Sequence, residues 1–166
     1  MVSVFIALVV GITASYAATS PVSAHGLAKF RKERRHIKKR AFKQLGAPYV
    51  YGGSSPSGFD CSGLTSWTYN GHGGALPRRA IDQFNLAKKP RFKRIWQRGH
   101  LRKGDLVFHK TTSARVGHSG IYIGRGKFIS TTSSGGVRVQ SLRDRYYWGP
   151  RWVGATRLPA TRKRYG

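Results

Sequence analysis

Residues 117–142 read GHSGIYIGRGKFISTTSSGGVRVQSL, and this stretch decides the fold class. Its first run places Ser119, Ile121 and Ile123 on one side and His118, Gly120 and Tyr122 on the other. That alternation is the two-residue period of a β-strand. Gly124 to Gly126 then reverses the chain, KFIST (127–131) forms a second strand, and SSGG (133–136) turns into VRVQSL (137–142). Short strands joined by tight turns make an antiparallel meander. Upstream, DLVFHK (105–110) adds a strand, and downstream RWVGATRLP (151–159) adds another. The expectation is a sheet of roughly five antiparallel strands.

The chain before this meander reads as helical. In 27–45, LAKFRKERRHIKKRAFKQL, the residues Phe30, Ile37, Ala41 and Leu45 recur near one face, and most other positions are Lys or Arg. Gly46 and Pro48 stop that helix. A glycine- and serine-rich loop leads to a second helix over Ser62 to Asn70, and Arg78 to Lys88 suits a third. Pro90 to Lys103 reads as irregular and basic. Helices followed by a meander make an α+β domain. No repeat or linker divides residues 25–160, and the basic tail 161–166 reads as solvated.

The chain has 166 residues, enough for one core, and a formal charge of +26. The only acids are Glu33, Asp60, Asp82, Asp105 and Asp144, so the surface is strongly positive. Such a field attracts polyanions: anionic wall polymers, anionic lipid or nucleic acid. No motif for reading nucleic acid accompanies the charge. At the N-terminus an apolar run from Val4 to Ile12 is too short to span a bilayer and is followed by small residues. It resembles a secretory signal peptide over residues 1–24, with a mature start near Ala18 or His25.

The single cysteine, Cys61, lies in GFDCSGLTSWTYN (58–70). One cysteine can form neither an internal disulfide nor a metal site built on several thiolates. A residue of this type is often a small buried hydrophobe. Here it follows a glycine-rich loop and opens a helix, where unpaired N–H groups favour a thiolate and lower its pKa. Asp60 suits the N-cap. A nucleophilic thiol needs a base, and of six histidines His118 is favoured, on the strand face opposite Ile121 and Ile123. His109 is the second choice. His25, His36, His72 and His100 lie in terminal, turn or irregular segments.

Together, LGAPYVYGGSSPSGFDCSGLTSWTY, LPR, GDLVFH, GHSGIYIG, KFIS and YWGPRWVGATR resemble the NlpC/P60 family of cell-wall cysteine peptidases, from Ala41 to about Arg157. The resemblance implies a papain-like NlpC fold, with N-terminal helices packed on the sheet. It implies cleavage of peptidoglycan stem peptides, typically between D-glutamate and the diamino acid that follows. By motif, Cys61 is the nucleophile and His118 its base. Tyr49 lines the site, Asp60 and Ser62 bind the free amine of the stem peptide, and Arg78 is a basic residue near the cleft. No metal or cofactor is needed.

Three positions depart from the family pattern. Ser130 stands where a histidine is most common; its hydroxyl can accept from an imidazole N–H, but weakly and with short reach, so that a water or Thr132 could intervene. Tyr51 replaces a more usual Trp, and His109 replaces a common aromatic. The sequence therefore predicts a secreted or wall-associated endopeptidase, monomeric by default, held to anionic wall polymers by its charge. The alternatives are a catalytically weak cationic binding module on the same fold, an amidase or acyltransferase of the same superfamily, and a phage lysin acting in the virion or host wall.

Overall fold

The computed structural model describes residues 24–70 and 75–159. All but the last residue of the expected signal peptide, His72 and the basic tail lie outside the described residues.

Helix α1 (Ala24–Phe42) buries Ile37 and Ala41 and presents most of its charge to water. It ends earlier than its polarity pattern predicts. After Phe42 the backbone tightens, with Gln44 N–H donating to Ala41 and Leu45 N–H to Phe42. Gly46 then takes a left-handed conformation, φ 84°, and its N–H joins Val137. Leu45 is left exposed rather than on the buried face.

A two-stranded hairpin, β1 (Ser54–Ser55) and β2 (Gly58–Phe59), leads into α2 (Cys61–Asn70). The short α3 (Ala80–Asn85) follows. The side chain of Gln83 locks α3 to α2: it donates to Ser62 O, Ser66 Oγ and Pro77 O, and accepts from Thr65 Oγ1. Arg40 of α1 secures the other end of α2. Its guanidinium lies 4.1 Å from the Trp67 ring centroid and donates to the terminal carbonyls of Trp67 and Thr68.

The main sheet comprises β3 (Lys93–Ile95), β4 (Leu106–His109), β5 (His118–Gly124), β6 (Lys127–Thr132), β7 (Gly136–Ser141) and β8 (Trp152–Arg157). Their order is β3-β8-β4-β5-β6-β7, and every pairing is antiparallel. Among the described residues the sheet thus has six strands where roughly five were expected. The extra one, β3, lies in the segment read as irregular and pairs with the sheet through β8. Its Arg94 is half-buried, 3.3 Å above the Phe84 ring, with donors to Thr156 Oγ1 and Phe84 O. An arginine serving as packing surface does not look apolar in a sequence.

The sheet buries both faces. Leu106, Phe108, Ile121, Ile123 and Ile129 join Phe59, Leu64, Tyr69 and Phe84 in the larger core. Val107, Tyr122, Phe128 and Ala155 form a smaller core on the other face, roofed by Leu142 and Trp148. The roof is a tight turn organised by Asp144, which accepts from the N–H groups of Tyr146 and Trp148. At the start of β4, the buried Asp105 takes two donors from Arg157 of β8 and one from the Arg102 N–H.

Candidate active site

Cys61 opens α2, and Asp60 caps it. The Asp60 carboxylate accepts from Gly63 N–H at 2.7 Å, while the Asp60 carbonyl receives Leu64 N–H. Gly63 is required here by packing. A Cβ at this position would lie 2.0 Å from the carbonyl oxygen of Gly53, so only glycine lets the first turn of the helix meet the preceding loop. The chain also brings Tyr49 beside Phe59 through an isolated bridge.

Cys61, His118 and Tyr49 line one cavity of about 300 Å³, together with Thr111, Thr112, Thr131, Thr132, Tyr147 and Trp148. The nucleophile and base expected from sequence are therefore brought to one place. Trp148 lies against the His118 ring, with centroids 4.7 Å apart. Trp148 and Tyr147 were not singled out as site residues. Their signal was a run of three aromatics, 146–148, ahead of Gly149-Pro150.

Asp60 and Ser62 are next to the nucleophile but already engaged. The Arg78 guanidinium grips both oxygens of Asp60 and also donates to Ser62 Oγ. Gly52 N–H and the Ser62 hydroxyl complete the carboxylate's partners. An incoming amine would have to share Asp60 with Arg78. The Asp60 carboxyl sits below its ordinary range: burial pushes it up, but the Arg78 and Gly63 hydrogen bonds outweigh that.

The thiol does not rest as the stabilised thiolate that the helix start suggests. Burial pushes Cys61 above the ordinary thiol range, and hydrogen bonds from Ser119 and the Ser62 backbone only partly offset it. Burial also holds His118 down to about 4. At neutral pH the resting pair is thus a neutral thiol and a neutral imidazole. Such an imidazole is free to take the thiol proton as sulfur attacks a carbonyl. The Tyr49 hydroxyl is pushed up, first by burial and further by the Asp60 carboxylate, so it remains a donor. It and the Cys61 N–H at the helix start suit a developing oxyanion.

Ser130 is fully buried on β6, on the same sheet face as His118, but is not part of the cavity wall. Its Oγ has no hydrogen-bond partner, and neither has His118 Nε2. The two do not bond directly. Tyr51 is almost fully exposed.

Comparison with known proteins adds an independent line. The sequence profile of the NlpC/P60 family matches residues 46–157. Murein DD-endopeptidase MepH of Escherichia coli (strain K12) is 36% identical over 135 residues, covering 79% of this chain and 48% of that protein. Bifunctional muramidase/DL-endopeptidase CwlT of Bacillus subtilis (strain 168) is 38% identical over 114 residues, covering 67% of this chain and 32% of that protein. A crystal structure of an NlpC/P60 family protein from Bacillus cereus superposes with TM-score 0.65 at 30% identity, over 75% of this chain and 40% of that one. The chain thus spans a third to a half of the length of these relatives.

Proposed function

This chain belongs to the NlpC/P60 family, and from that premise we propose that it is an exported peptidoglycan endopeptidase. Cys61 attacks a stem-peptide amide, His118 takes the thiol proton and returns it to the leaving amine, and water releases the acyl group. The observation that carries this reading is the shared cavity of Cys61, His118 and Tyr49. The bond we assign is the one from D-glutamate to the diamino acid. Relatives carry the names murein DD-endopeptidase, DL-endopeptidase and gamma-DL-glutamyl hydrolase, so the names differ in the bond they specify. Asp60, Ser62 and Arg78, linked beside the nucleophile, are the groups we assign to the substrate's polar end.

The charge of +26 supports a second role for the surface, retention on anionic wall polymers. The apolar run at Val4 to Ile12 supports export. Purified protein and its Cys61→Ala variant, incubated with diaminopimelate-type peptidoglycan, provide the test. Fragments ending in D-glutamate, seen by mass spectrometry with the wild type alone, are expected. Products that persist in the variant would refute the thiol mechanism, and products at another bond would move the substrate assignment.

One observation favours a non-catalytic wall-binding module instead: the third position of the site holds a serine that does not reach His118. Wall binding without any product, across several wall chemistries, is the outcome that module predicts.

A further inference from the structure

Buried polar atoms are nearly always hydrogen-bonded, so orphans need an explanation. Here they concentrate in one place. The unpartnered buried side-chain atoms include both nitrogens of His109, His118 Nε2, Ser130 Oγ and Thr132 Oγ1. These side chains share one sheet face. His109 of β4 is the direct cross-strand partner of His118. Continuing the β5–β6 register from Ile121 and Ile129 sets Gly120 opposite Ser130 and His118 opposite Thr132.

His118 Nε2 is enclosed and bonded to nothing, so Nδ1 is the nitrogen left for the Cys61 thiol. For Nδ1 to accept that proton, Nε2 must carry the other one and needs an acceptor. Ser130 does not supply it directly. His109 is placed to do so. Its ring centroid is 6.3 Å from that of His118, too far for a direct bond and the span of one bridging water.

The position of His109 is fixed from every side. Phe128 of β6 stacks on it at 5.0 Å, and Trp148 meets it edge-on at 5.0 Å. Trp152 of β8 closes the box at 5.9 Å. Burial above all, and then the titratable groups that act on it, His118 and Arg98, hold its imidazolium down to about 3. A neutral imidazole is an acceptor that does not become a competing cation when His118 takes its proton.

The geometry points to His109 as the positioning residue of this site, holding Nε2–H of His118 through one bridging water in place of a direct β6 partner. The inference rests on His118 as the base proposed above.

His109→Phe keeps a ring in the aromatic box and removes both nitrogens. We expect kcat to fall about tenfold or more, with KM within about twofold. The acid limb of the pH–rate profile should move to lower pH, because the His118 imidazolium loses an acceptor. A purely packing role for His109 would leave that limb unchanged. Adding Ser130→His, which sets an imidazole on the same face from β6, should restore part of kcat. A folded His109→Phe protein with wild-type kcat and pH profile would overturn the proposal.

A second measurement needs no variant. Nitrogen chemical shifts of the wild-type imidazoles at neutral pH should show His118 protonated at Nε2 and His109 neutral. A His118 proton on Nδ1, or ordinary titration of His109 near neutral pH, would also overturn it. If the wild type hydrolyses no wall substrate, the endopeptidase reading fails, while the chemical shifts still decide the role of His109.

Discussion

At the scale of single residues, His118 and His109 carry a stability consequence. Burial lowers their imidazolium pKa values to about 4 and about 3. An unfolded histidine takes up a proton near pH 6.5, whereas these two, folded, do not until far lower pH. The unfolded chain therefore binds more protons through that window, and folding stability falls as pH drops from about 6.5 toward 4. Thermal melts across this range should show a progressive loss on the order of several kcal/mol. His109→Phe should flatten part of it; an unchanged melting profile in that variant would assign the loss to other groups. Cys61 gives a second readout. Its alkylation by iodoacetamide should be slow below neutral pH and slow further in His118→Ala. That Cys61 opens a helix and His118 a strand was legible in the sequence because a helix start and a strand alternation are local patterns. The ionisation of the thiol was not, since it depends on Ser119 and on burial by parts of the chain far away in sequence.

Among the elements, α2 is positioned by close contacts that single substitutions should break. Gly63→Ala places a methyl at 2.0 Å from the Gly53 carbonyl, so the helix must shift. A loss of about 1–3 kcal/mol is expected in denaturant unfolding, with activity lost as Cys61 moves. The β4–β8 pair depends on Asp105, which is 1% exposed and held by Arg157 at 2.7 Å. Arg157→Ala leaves that carboxylate buried with the Arg102 N–H and the more distant charge of Arg34, at a cost of about 3 kcal/mol. A near-neutral unfolding midpoint would mean that solvent reaches Asp105. Most element types were readable because their hydrophobic periods are strong. The strand β3 was not, because its Lys-Arg-Ile sequence hides a packing role behind the arginine over Phe84. The end of α1 was misplaced because a tightening last turn leaves the same residues in the same order.

For the whole molecule, the acids are largely consumed internally. Asp60, Asp82 and Asp105 each pair with an arginine, and Asp144 serves the roof turn. The remaining positive charge acts outward and is screened by salt over about 8–10 Å at 0.10–0.15 M. Hydrolysis of insoluble wall should fall steeply as salt rises, whereas kcat on a short soluble stem peptide should barely change. Parallel declines for both substrates would place the salt effect at the active site rather than at the wall-facing surface. The α+β architecture and the total charge could be read from the sequence, but the roof over His118 could not, since residues 144–148 reach the site only through the sheet's return. That roof makes the protein its own spectrometer. The Trp148 indole lies against the imidazole we assign as the base, so its emission will respond to the charge of that ring. Chemistry at the sulfur can thus be followed by intrinsic light, with Trp148→Phe as the dark control and no dye attached.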